Sequence, residues 1–247
     1  MKPEAVGWAA LITVLWSVLM MTMLAYPFEH RFNHDVDSPI LALELAHDKS
    51  DIDAVLQTKR ENRAIAVNTI WWNTILDLVF IPLYVGYLLR LGRLFPDVVG
   101  LGRLVPMLAA GAGLFDYVED WLIFMALRGG YPPVYLPSLA KWGLLALTQL
   151  ALGPLLLRTR VEIYSLATRR LLGLAHVTAG AIMLLGAALG EWIGYSWIEL
   201  GAKIFAVTIL SNAIGLVGGY LGGWLRESQP EPLDDFCSKR SKARPGQ

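Results

Sequence analysis

Apolar runs of about 20 residues recur along the chain, long enough to cross a hydrocarbon core of about 30 Å as helices. They are Val6 to Tyr26, Thr69 to Leu89, Leu104 to Leu127, Leu139 to Leu157, Leu171 to Gly190 and Trp197 to Leu221. Inside lipid the backbone must satisfy its own hydrogen bonds, so runs of this length predict helices. The expected fold is all-α: an integral membrane bundle of six transmembrane helices. The first run is too long for a signal-peptide core, Glu4 dilutes the charge of Lys2, and no A-x-A-like site follows, so it is expected to be retained.

Between the first two runs the pattern changes. Ser38-Pro39 reads as an N-cap followed by proline in the first helical position. Ile40, Leu41, Leu43, Glu44 and Leu45 then make one short helix. Ser50 with Asp53 resembles a capping box opening a second, striped by Ile52, Val55 and Leu56. Both are expected to be short amphipathic helices lying on or capping the bundle. The chain thus divides into a first transmembrane helix (1–26), an outer amphipathic segment (27–68), helices two to four (69–157), a hairpin of helices five and six (171–225) and a polar, disordered tail (226–247).

Composition agrees with this pattern. Of the 247 residues 55% are hydrophobic and 17% charged, with mean hydropathy +0.48, whereas soluble domains are about 25% charged. A disordered chain, a disulfide scaffold and a soluble globule are excluded. Lys plus Arg equals Asp plus Glu at 21 each, so nothing argues for nucleic acid. The single cysteine, Cys237, permits no internal disulfide. Thirteen of the Lys and Arg residues fall on one side of the predicted spans and six on the other. The positive-inside rule then puts both termini in the cytoplasm (N-in, C-in) and residues 27–68 outside.

Charges inside the runs are costly and mark function by default. Asp77 lies in the second run, Asp116, Glu119 and Asp120 in the third, and Lys141 at the start of the fourth. Glu199 and Lys203 lie in the outer part of the sixth. At about 1.5 Å per residue Asp77, Asp116, Glu119, Asp120 and Lys203 share one layer roughly 9–16 Å below the outer boundary. Residues 116, 119 and 120 share one helix face, which should look toward Asp77 and Lys141. Two or more carboxylates exceed the available lysines, and must take up protons, bind a cation or face water. The layer has no His or Cys, so oxygen ligands would suit Mg²⁺, Ca²⁺ or Mn²⁺ rather than Zn²⁺; no metal is assigned. His176 sits in the inner half of the fifth run and reads as a packed, hydrogen-bonded residue. The run Glu29, His30, His34 and Asp35 reads as surface loop. The glycines at 186, 190 and 194, and at 215, 219 and 223, have the spacing that lets helices approach closely.

The order of features resembles a group of uncharacterised bacterial multi-helix membrane proteins. The residues that carry the likeness are ELA at Glu44 to Ala46, DLVFIPLY at Asp77 to Tyr84, DYVED at Asp116 to Asp120 and AKW at Ala140 to Trp142, spanning about the first 160 residues. Asp120 stands where the group's pattern has Asn. The resemblance implies a bacterial inner membrane and one site made of Glu44, Asp77, Asp116, Glu119 and Lys141, and it supplies no activity. The candidate binding residues are therefore Asp77, Asp116, Glu119, Asp120, Lys141 and Glu44, with Lys203, Glu199 and Tyr84 secondary. A carrier or binding protein for a proton, cation or polar ligand ranks first. An integral membrane enzyme acting on a lipid and a structural or accessory subunit are the alternatives. The lipid bilayer is the one firm partner, and any cofactor is unknown.

Overall fold

The computed structural model describes residues 3–23, 36–56, 63–95, 100–158 and 166–227. Among them the regular elements are all helices: α1 (Pro3–Met23), α2 (Pro39–Glu44), α3 (Lys49–Leu56), α4 (Arg63–Gly92), α5 (Leu101–Leu127), α6 (Tyr135–Arg158), α7 (Leu166–Ile193) and α8 (Ser196–Glu227). Six of these, α1 and α4 to α8, are long and apolar enough to cross a membrane. The protein is an all-α polytopic membrane bundle. The tail from 228 and the Glu29 to Asp35 run lie outside the described residues.

The six long helices form a ring. Each packs on its neighbours in sequence, and α1 closes the ring by packing on both α4 and α8. Inward apolar side chains fill it, among them Val6 and Ala10 of α1, Leu88 and Leu91 of α4, Leu152 and Leu155 of α6, and Ile209 and Leu216 of α8. Outward positions stay apolar and exposed, as at Leu15, Met107, Leu171 and Ile214. This is the pattern of a bundle solvated by lipid rather than water.

Hydrogen bonds pin α1 to α4: Trp16 Nε1 donates to the Leu76 carbonyl at 2.9 Å and Asn73 Nδ2 to the Met20 carbonyl at 3.1 Å. Pro82 lacks an N–H and so frees the Leu78 carbonyl one turn earlier. The Tyr117 hydroxyl of α5 donates to it at 3.4 Å. Gly194, at φ 86°, reverses the chain between α7 and α8 in a conformation that side chains resist.

Ser38 and Pro39 open α2 as expected, with the Leu41 N–H donating to Ser38 Oγ. Of the two places expected for α2, on the bundle or capping it, the helix takes the second. Pro39 and Leu41 through Glu44 are all buried, because α2 is inserted across one end of the ring. It packs there with Ile70, Ile123, Val134, Tyr195 and Ile198 in a second apolar core. α3 does carry the expected stripe of Ile52, Val55 and Leu56. Its cap differs: Asp48, not Ser50, accepts the N–H groups of Ser50 at 2.7 Å and Asp51 at 3.1 Å. A capping carboxylate one residue ahead of the helix satisfies the donors that Ser50 would have left open.

Candidate functional site

α5 supplies three acids to the interior. Asp116, Glu119 and Asp120 follow the i, i+3, i+4 spacing, which turns all three toward the ring's interior, and all are buried. α4 comes very close one turn earlier, because Gly113 has no side chain. A Cβ there would lie 2.7 Å from Val85 Cγ2. That approach brings the Tyr84 hydroxyl to Asp116 Oδ2, to which it donates at 2.9 Å.

Lys141, in the second turn of α6, is buried at the centre. Its Nζ lies 2.7 Å from Glu119 Oε1, 3.0 Å from Asp116 Oδ1 and 3.2 Å from Glu44 Oε2. The ammonium donates a hydrogen bond to Glu119 Oε1 and meets Asp116 and Glu44 as ion pairs. Glu44 arrives from α2 and also accepts the Trp142 indole N–H at 3.0 Å. The α2 insertion thus brings a carboxylate onto a lysine 97 positions further along the chain.

Asp77 of α4 is half-buried and joins the same group. It lies near enough to Asp116, Asp120, Lys141 and Glu44 to interact with them electrostatically. Five carboxyl groups therefore share this region with one ammonium, three of them in contact with it. Three buried oxygens of the group, Asp116 Oδ1, Glu119 Oε2 and Asp120 Oδ2, have no hydrogen-bond partner, although Asp116 Oδ1 meets the ammonium as an ion pair. Among the described residues no group of three or more His, Cys, Asp or Glu has an arrangement that could hold a metal ion. The Lys141 ammonium itself occupies the point where three carboxylates converge.

Of the nine candidates, the structure brings together Glu44, Asp77, Tyr84, Asp116, Glu119, Asp120 and Lys141. Glu199 and Lys203, the secondary candidates of α8, do not join them. They pair with each other at 2.8 Å with Lys203 largely exposed, and Glu199 also accepts the Asp37 N–H at 3.0 Å. Depth along a helix says nothing about the direction a residue faces. α8 packs between α7 and α1, whereas the cluster is built by α2, α4, α5 and α6.

Sequence reasoning missed Trp142 as a partner of Glu44; an indole beside a membrane lysine was the available signal. It also missed the surroundings of His176. That ring is buried, with Nδ1 bonded to Gln149 Oε1 and Nε2 3.5 Å from Asn212 Nδ2. Gln149 and Asn212, lone amides in apolar runs, were visible in the sequence. At the α2–α3 end, the Tyr195 hydroxyl lies 3.5 Å from His47 Nε2. Burial raises its pKa above the ordinary 10.0, with Glu191 and Tyr135 adding to the rise.

No protein-family model, curated protein or solved structure matches this chain.

Proposed function

We propose that this membrane protein is a carrier or binding protein whose carboxylate–lysine cluster takes up and releases a proton, with a small cation as the competing ligand. The observation that carries this reading is the imbalance of five carboxyl groups against one buried ammonium. Lys141 is matched by three of them, which leaves Asp77 and Asp120 facing each other. Ionised carboxylates only accept hydrogen bonds, so a proton or cation must join that pair. A lock serving structure alone would need no more acids than the lysine can satisfy.

The proposed topology has both termini in the cytoplasm and α2 and α3 outside, in a bacterial inner membrane. Access to the cluster is then from the outer end, and α2 closes it. Among the described residues Glu44 links α2 to the buried charges, through Lys141 and its neighbour Trp142. Displacing α2 would uncover the ammonium and its acids together, which is the exchange step a carrier needs. The lipid-enzyme alternative called for a lateral opening lined by the charges. The groove between α4 and α5 is lined by Trp71, Trp121, Phe124, Met125 and Arg128 instead.

The test is thermal unfolding of purified protein in detergent across pH and against Na⁺, K⁺, Mg²⁺ and Ca²⁺, with Asp120→Asn beside the wild type. The proposal expects a response to pH or to one cation that the variant loses. Identical curves for the two proteins, flat in pH and cation, would overturn it.

A further inference from the structure

A groove of about 240 Å³ runs between α4 and α5 on the outside of the ring, away from the charged cluster. Trp121, Phe124, Met125 and Arg128 lie at i, i+3, i+4 and i+7 and form one stripe of α5, continued just past its last residue. Trp71 of α4 forms the opposite wall, edge-on to Phe124 with ring centroids 4.7 Å apart. Trp121 is 66% exposed and Met125 44%, so the wall is open to whatever surrounds the bundle. Around a membrane helix that is lipid.

Arg128 follows the last residue of α5 and so sits where the span meets the interface. Its guanidinium lies over the Trp71 ring, 5.6 Å from the centroid. A contact with the ring face uses none of its five N–H donors. Among the described residues no carboxylate pairs with it. An apolar channel therefore leads to one cation that no described carboxylate neutralises, at headgroup height. The complement is a molecule with an acyl chain for the groove and an anionic oxygen cluster for the guanidinium.

We propose that the α4–α5 groove is a binding site for one anionic phospholipid of the surrounding bilayer, its phosphate on Arg128 and its chain against Trp71, Trp121, Phe124 and Met125. This site does not depend on the cluster's taking up protons. Aromatic rings suit this depth because they are at ease at the boundary between chain and headgroup.

The test uses purified protein in mild detergent, titrated with phosphatidylglycerol, phosphatidylcholine or soluble glycerol 1-phosphate, with binding read by native mass spectrometry. The wild type should prefer phosphatidylglycerol to phosphatidylcholine by about fivefold, the effect of one cation near a membrane surface. Arg128→Gln should erase that preference, and because Arg128 is exposed the variant should still fold. Glycerol 1-phosphate, which has the charge without the chain, should not bind measurably. Phosphatidylglycerol with a brominated chain should quench tryptophan fluorescence, and Trp121→Phe should reduce the quenching. Equal binding of the two lipids by the wild type, an undiminished preference in Arg128→Gln, or glycerol 1-phosphate binding as well as the lipid would each overturn the proposal.

Discussion

Lys141 has three donors and three carboxylate neighbours within 3.2 Å, so its loss would leave acids facing one another in a dry interior. Breaking a buried ion group by removing one partner costs about 3–5 kcal/mol. Lys141→Ala should lose that much stability in denaturant titrations in mild detergent. Lys203→Ala is the matched control. Its ammonium is exposed and its pair with Glu199 is an i, i+4 surface contact, so the change should stay within about 0.5 kcal/mol. Equal effects of the two substitutions would contradict the placement of Lys141. Asp48 gives a residue-scale prediction in pH. The Ser50 hydroxyl, then the Asp51 and Ser50 N–H groups, hold its carboxyl below the ordinary 3.8. A value depressed in the folded state stabilises above the unfolded value, and the stabilisation is lost as pH falls through the folded one. At neutral pH, Asp48→Ala should therefore speed hydrogen exchange at the first amides of α3. In acid below 3.8 the wild type should approach the variant, and no difference at neutral pH would remove Asp48 as the cap.

Among the helices, α6 and α7 meet closely through glycine. A Cβ on Gly153 would lie 2.8 Å from the Gly173 carbonyl, and one on Gly180 would lie 2.7 Å from the Ala146 carbonyl. Close contact of backbones replaces the hydrophobic effect as the source of packing in lipid. Gly153→Ala should destabilise by about 1–3 kcal/mol through overpacking. Gly143, on the same helix, has nothing within 4 Å of such a Cβ, and Gly143→Ala should be neutral or stabilising by up to about 1 kcal/mol. Thermal midpoints of the two variants check the contrast. The six long helices were legible because apolar runs need only length to identify them. Their ends were not: α4 starts at Arg63, six residues before its apolar run, because helices continue past the hydrocarbon into polar turns. The acids of α5 were legible as one face because three residues on one helix fix a direction. The direction of Lys203 was not legible because it depends on which helices α8 packs against, a nonlocal fact. The insertion of Glu44 was suggested by resemblance alone, since a short helix between long loops carries no periodicity that sets its depth. Asp48 was not singled out as the cap because the Ser50–Asp53 spacing offered a capping box, and Asp48 is as good a cap residue by type.

For the whole molecule, the packing of Gly7 against Leu216 and Val217 sets the start of α1 beside the later part of α8. With the positive-inside bias this predicts a cytoplasmic C-terminal tail. Cys237, the chain's single cysteine, tests it without introducing a new thiol. An impermeant maleimide should label it only after intact cells are permeabilised. Ala54→Cys on α3, in a Cys237→Ser background, should be labelled without permeabilisation. The reverse pattern would invert the molecule and move the cluster's access to the cytoplasm. In the proposed function, the five carboxyls grouped with one ammonium hold an exchangeable proton that Asp77 and Asp120 share. Infrared difference spectroscopy on purified protein, titrated in pH, sees the carbonyl stretch of protonated carboxyl groups directly. The wild type should show a titrating buried-carboxyl band that Asp120→Asn removes while the helical amide signal stays unchanged. A wild-type spectrum with no such band, or one that Asp120→Asn leaves intact, would contradict it.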